Sequence, residues 1–120
     1  MRGDQYLTRS EHYTLVYEKG NSWASDLMVM KALPNQLARS RYGFSVGRRL
    51  GGAVVRNRVK RRLREILRAL PLEGGWDIIF IARPKAALAS FANLEKTVRG
   101  LLSRAKILAR EYEGAYLRAD

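Results

Sequence analysis

AVVRNRVKRRLREILR, residues 53–68, carries the densest charge in the chain. Arg56, Arg58, Lys60, Arg61, Arg62, Arg64 and Arg68 are basic, and Glu65 is the one acid among them. Val55, Val59, Leu63, Ile66 and Leu67 run through the same segment. At about 100° per residue on a helix, these apolar residues and Leu70 fall on one side. Asn57, Lys60, Arg61, Arg64 and Arg68 fall opposite, with Arg56, Arg58 and Arg62 on the borders. The spacing predicts a helix from roughly Ala53 to Leu70, closed by Pro71. One face is expected to pack on a sheet and the other to form a cationic ridge.

A merely solvated face mixes charges of both signs, which gains i,i+4 pairs and avoids self-repulsion. This face has nearly one sign. Lys60 with Arg64, and Arg64 with Arg68, are like-charge i,i+4 pairs that each cost about a few tenths of a kcal/mol. A helix that accepts this cost is expected to meet a polyanion. Arginine outnumbers lysine, and its flat fork binds phosphate through two parallel hydrogen bonds. Asn57 has two readings: an amide that meets sugar or base edges, or a polar residue of the first helical turn.

Outward from this helix, the pattern predicts an α-β-β-β-α-β-α order. Ser10 is placed to cap a helix from about Glu11 to Lys19, with Gly20 as its stop. Tyr13, Val16 and Tyr17 share one of its faces. Ser22 to Ala24 reads as a short edge strand. Asp26 to Leu33 reads as a strand in which Leu27, Val29 and Leu33 alternate with Met28, Met30 and Ala32. Arg41 to Gly47 is another, with Tyr42, Phe44 and Val46 on one face and Gly43, Ser45 and Gly47 on the other. Asp77 to Ala82 is an unbroken apolar run, the mark of a buried strand. A last amphipathic helix is expected from Phe91 to Tyr112, its stripe running through Leu94, Val98, Leu101, Leu102, Ala105 and Leu108. The whole is a small α/β sandwich, helices packed on a sheet. Residues 1–7 read as a loose or extended arm, so one domain spans about 8–112 of residues 1–120.

Composition sets limits on function. A chain of 120 residues with 47% apolar content suits one domain with one core. A formal net charge of +12 attracts polyanions, nucleic acid first and anionic membrane second. There is no cysteine, so no disulfide frame and no thiolate metal site. The start MRGDQYLTRS lacks the apolar core of a signal peptide. The longest apolar run, Ile78 to Ala82, is too short to span a bilayer. A cytoplasmic protein is expected.

The glycines at 47, 51 and 52 are not followed by Gly-Lys-Ser/Thr, so they make no Walker phosphate loop. They let the chain turn into the helix, placing Arg48 and Arg49 near an N-terminus that itself favours phosphate. Tyr13 and Tyr17 are either a core stripe or half-exposed stacking platforms for single-stranded nucleic acid. The narrow face of Gly43, Ser45 and Gly47 accepts either RNA or a packed helix. His12 is the only histidine and stands beside Glu11, which makes neither a triad nor a metal site. Asp4, Asp26 and Asp77 are scattered and form no magnesium-binding cluster. The sequence carries no self-contained active site.

YGFSVGRRLGGAVVRNRVKRRLREIL, residues 42–67, closely resembles the signature of the bacterial ribonuclease P protein subunit: a glycine-rich approach, then Ala-Val-x-Arg-Asn-x-x-Lys-Arg. Ala53, Val54, Arg56, Asn57, Lys60 and Arg61 meet it. LTRSEHYTLVYEKG, WDIIFIARP and the closing amphipathic helix match in place and order, so the likeness runs from about Leu7 to Leu108. The resemblance implies a sandwich related to one seen in ribosomal proteins and translocation factors, with a left-handed βαβ crossover contrary to the usual right-handed rule. It implies a partner, a large catalytic RNA, with which the protein removes the 5′ leader of precursor tRNA. The RNA and its Mg2+ ions carry the chemistry; the protein itself binds no cofactor, and one protein per RNA is expected. Carried over to this chain, Arg48, Arg49, Arg56, Asn57, Arg58, Lys60, Arg61, Arg64 and Arg68 would contact the catalytic RNA. Tyr13 and Tyr17 would line a cleft for the leader, with Val29, Lys31 and Ser45 on its floor. The chain departs from the family pattern in having tyrosines where phenylalanine is commoner, Lys31 where an aromatic or hydroxyl residue is frequent, and His12 in place of an acid.

Other readings compete. A ribosomal or general RNA-binding protein explains the charge but not the ordered match. A DNA-reading helix fits poorly, because this helix follows a strand directly and buries its other face. A membrane-surface helix would need the apolar face that the core uses.

Overall fold

The structure, a computed structural model, describes residues 5–109. Alternation along β2 (Met28–Pro34) organises it. Met28, Met30 and Ala32 are buried on one face, and Val29, Lys31 and Leu33 stand half-buried on the other. β2 pairs antiparallel with β1 (Asn21–Ala24) and with β4 (Trp76–Ala82), and β4 pairs in parallel with β3 (Arg41–Ser45). The sheet order is β1-β2-β4-β3. β4 is therefore central and paired on both edges, which explains its continuous apolar run.

Two helices cover one face. α2 (Ala53–Ala69) buries Val59, Leu63, Ile66 and Leu67, and α3 (Phe91–Arg104) buries Leu94, Val98, Leu101 and Leu102. They enclose Met28, Met30, Ile78 and Phe80 in one core cluster. α1 (Ser10–Lys19) crosses the other face, where Val16 packs with Leu7 and Ile79. This is the expected α+β sandwich with the expected element order. The chain from β3 through α2 to β4 is its parallel βαβ unit.

Several boundaries differ from expectation, each for a local reason. Ser10 is the first residue of α1, not its cap; extended Arg9 holds that place with no side-chain cap bond. Gly20 ends α1 in extended backbone, and its value is space: a Cβ would lie 2.6 Å from the Val16 carbonyl oxygen. β2 begins at Met28 rather than Asp26, because the Ser25 hydroxyl accepts from the Leu27 and Met28 N–H groups and holds a turn. Residues 5–7 of the expected arm are anchored: Tyr6 bridges to Tyr42, and the Leu7 N–H donates to the Tyr42 carbonyl at 2.9 Å. Tyr6 and Tyr42 also meet edge to face at 5.5 Å, continuing into Phe44 and Phe80.

The clearest correction concerns α3, which stops at Arg104. Lys106 adopts a left-handed φ of 60°, its N–H donates to the Ser103 carbonyl, and the Ile107 N–H returns to Leu102 at 2.9 Å. This pair of bonds is a Schellman termination, closed by buried Ile107 and Leu102. Ala105 and Leu108 therefore leave the helical stripe, and Leu108 bridges to Leu72. Tyr112 lies outside the described residues.

A polar clip joins the starts of β3 and β4. Arg41 and Asp77 are register partners, and the guanidinium donates to both carboxylate oxygens, at 2.8 and 2.7 Å. Asn35 adds a third donor to Asp77 at 2.9 Å. The hydrogen bonds to Asp77 raise the Arg41 pKa, with burial opposing. Asp77 is the one buried charged residue among those described. Asp77→Ala leaves the guanidinium without its counter-charge and should lower stability by about 3 kcal/mol. Urea unfolding should show a lower midpoint at constant slope, and an unchanged midpoint would contradict a clip role. Lys106→Gly relieves the left-handed position and should raise stability by about 1 kcal/mol in the same assay.

Candidate nucleic-acid interface

Asn57, Arg61, Arg64 and Arg68 stand exposed along α2, opposite its buried stripe. Arg48 and Arg49 are exposed on the 3₁₀ turn Arg48–Leu50 that leads into the helix. Gly51, at φ 138°, makes the bend between them. The border positions behave differently. Arg56 is half-buried on one flank, and so is Lys60, which the helical spacing had placed on the open face. On the other, Arg58 donates to the Ala87 carbonyl at 3.1 Å, and Arg62 to Ala89 at 3.2 Å. Arg58, expected among RNA-contacting residues, thus first serves to hold the chain after β4. No acid pairs with the exposed arginines in any ion pair found among the described residues. Arg68 lies near enough to Tyr42 to favour its ionised form, while burial and Tyr6 push that phenol up to about 12.

The second candidate surface lies on the other layer. α1 covers Ile79, and the next row of the sheet is Ala24, Val29, Ile81 and Ser45 through cross-strand pairing, with Ile81 packed at the edge of the Leu7, Val16 and Ile79 cluster. Val29, Ile81 and Ser45 are half-buried, so this row floors a trough beside the helix. Tyr13 and Tyr17 form its wall. The Tyr13 hydroxyl rests on the backbone of β3, where a Cβ at Gly43 would overlap it. Burial raises the Tyr13 pKa, the neighbouring Tyr17 adds to this, and the Phe44 backbone opposes it by hydrogen bonding. Tyr17 is 40% exposed, a ring with one open side. Lys31 Nζ donates to the Tyr17 carbonyl at 3.2 Å, so the lysine meets the helix's C-terminal end, where the helix dipole favours a cation.

The two readings left open for the tyrosines thus divide between them: Tyr13 is largely packed against the sheet, and Tyr17 faces outward. The structure brings Val29 and Ser45 into one row and places Lys31 in the adjacent one, beside Gly43 and Ile79. Ile81 was missed by sequence reasoning. Its alternation is hidden within a strand apolar on both faces, and only the register across β2, β4 and β3 places it between Val29 and Ser45.

The profile described as Ribonuclease P matches residues 1–106. The chain belongs to the ribonuclease P protein family. Similar relatives include the ribonuclease P protein component of Dehalococcoides mccartyi, 48% identical over 120 residues and the full length of both chains. That of Roseiflexus castenholzii is 44% identical over 105 residues, covering 85% of this chain and 86% of the relative. Among solved structures, a Staphylococcus aureus RNase P protein mutant with defective mRNA degradation activity superposes with a TM-score of 0.85 at 29% identity, covering 90% and 93% of the two chains. The Thermotoga maritima RNase P protein gives 0.74 at 30% identity, covering 82% and 96%. Membership makes the chain a subunit of an endoribonuclease of tRNA processing, with RNA as its partner. No described helix is long and apolar enough to cross a membrane.

Gly43→Ala should force the Tyr13 ring away from β3 and destabilise the fold by about 1–3 kcal/mol. Freed from burial, the Tyr13 phenol should titrate closer to its ordinary 10.0. A tyrosinate absorbance titration, read against Tyr13→Phe, checks this. An unmoved Tyr13 titration would contradict the packed position.

Proposed function

We propose that this protein holds two segments of RNA on its two layers: the catalytic RNA of ribonuclease P on α2, and the 5′ leader of precursor tRNA in the trough beside α1. The observation that carries the reading is the α2 ridge. Its charges have nearly one sign, and its opposite face is occupied by the core. Arg48, Arg49, Asn57, Arg61, Arg64 and Arg68 are presented to solvent, with Arg56 and Lys60 at the flank. Guanidinium forks take phosphate oxygens in pairs and release condensed counterions. The trough suits a single strand: an open tyrosine ring for a base, apolar Val29 and Ile81 beneath, and a hydroxyl at Ser45. Membership of the ribonuclease P protein family supports this pairing.

In this reading the complex cuts the leader from precursor tRNA to make the mature 5′ end, in the cytoplasm, with one protein per RNA. Cleavage belongs to the RNA, and the protein raises affinity and positions the leader. Mg2+ belongs to the RNA as well. The protein's own part is electrostatic and steric.

The test is equilibrium binding to a bacterial ribonuclease P RNA across a salt series. The triple variant Arg61→Ala, Arg64→Ala, Arg68→Ala should bind far more weakly and lower the salt slope by about 2–3. Its thermal unfolding should be nearly unchanged, because these side chains avoid the core. Unaltered binding would overturn the ridge assignment. Tyr17→Ala should weaken recognition of precursor tRNA by the assembled complex about tenfold and leave mature tRNA unaffected. Equal loss for both would remove Tyr17 from the leader site.

A further inference from the structure

Two apolar side chains stand out from the cationic surface around α2. Leu88 is 93% exposed and Val54 81%, the highest values among the large exposed apolar residues described. They belong to one locality. Val54 and Arg58 are four apart on α2 and share a face. Arg58 donates to the carbonyl of Ala87, the residue before Leu88. Arg62, one turn further on, holds Ala89 on the other side of Leu88. The 3₁₀ turn Pro84–Leu88 is also tied down from below, through the Arg83 N–H to Leu27 and buried Ala86.

Two arginines of a cationic helix are thus used to fix the chain that presents a leucine to solvent. A leucine held in this way needs no further ordering of its backbone to bind. Its neighbourhood is basic. Lys85 is exposed three residues before Leu88, and side chains at that spacing eclipse in a 3₁₀ turn. Arg61 stands on α2 close to the face of Val54 and Arg58. Exposed aliphatic side chains held beside cations match a nucleotide: an apolar base face with phosphate on either side.

We infer that Leu88 and Val54 form a contact platform for an unstacked base of the partner RNA, with Lys85 and Arg61 taking the flanking phosphates. This rests on the reading of α2 as an RNA-binding helix, and deepens it: the arginines supply sequence-independent attraction, and the aliphatic pair selects a place where a base is free of its stack.

The experiment compares the double variant Val54→Thr, Leu88→Ser with the triple arginine variant, using a bacterial ribonuclease P RNA transcript as probe. Both positions are exposed, so the fold should hold, checked by circular dichroism and melting. The double variant should bind about tenfold more weakly, with the salt slope of the unaltered protein, because a base contact releases no counterions. Leu88→Met should retain affinity, and a photoreactive residue at 88 should crosslink to a single unpaired nucleotide. Unaltered binding by the double variant, while the arginine variant is weakened, would overturn the platform and leave the RNA-binding helix standing. A lowered salt slope would overturn it too, since the loss would then be of phosphate contacts. A change from dimer to monomer in sedimentation with unaltered RNA binding would assign the patch to a second copy instead. Unaltered binding by the arginine variant would remove the underlying reading.

Discussion

The fold depends on one helix satisfying two opposed demands. α2 crowds like charges on one face, where repulsion costs about a few tenths of a kcal/mol per i,i+4 pair. On its other face Val59, Leu63, Ile66 and Leu67 are almost fully buried, and each such side chain contributes about 1.5–3 kcal/mol. Burial exceeds repulsion several-fold, so the helix forms before any RNA arrives. The ridge is then a preformed surface, and an anionic partner bound there would relieve a repulsion that the core has already overcome.

The sheet applies the same logic to its two faces. One is closed by α2 and α3, and the other is only partly crossed by α1. The row through Val29, Ile81 and Ser45 stays half-buried, and the small size of Gly43 in the neighbouring row lets Tyr13 lie close against β3. The ridge and the trough therefore occupy different layers, joined by the short chain from Ser45 to Ala53 that carries Arg48 and Arg49. A partner that fills both has to approach from more than one side, as a folded RNA with a single-stranded extension does.

Much of this was legible in the sequence because it is periodic. The buried stripe of α2, the alternation in β2 and β3, and the double-sided run of β4 each follow from local spacing. What was not legible depends on residues far apart in the chain. Arg41 meets Asp77 and Asn35 only once β3 lies beside β4. The end of α3 was hidden because Leu108 keeps helical spacing with Leu101, while the stop is a left-handed lysine where glycine is the usual signal. The flank of α2 was read as charge alone, yet Arg58 and Arg62 close on carbonyls of a turn some 27–29 residues away. At the trough, Tyr13 and Tyr17 could be named from sequence, but only the packing over Gly43 separates the buried ring from the open one.

Reconstituted cleavage asks directly whether this protein makes an RNA catalyst work. A bacterial ribonuclease P RNA and 5′-labelled precursor tRNA would be mixed at magnesium too low for the RNA alone, with and without the purified chain. Leader release that appears only with the protein is the predicted result. RNA binding without any change in cleavage would contradict the account and leave a basic RNA-binding protein in its place.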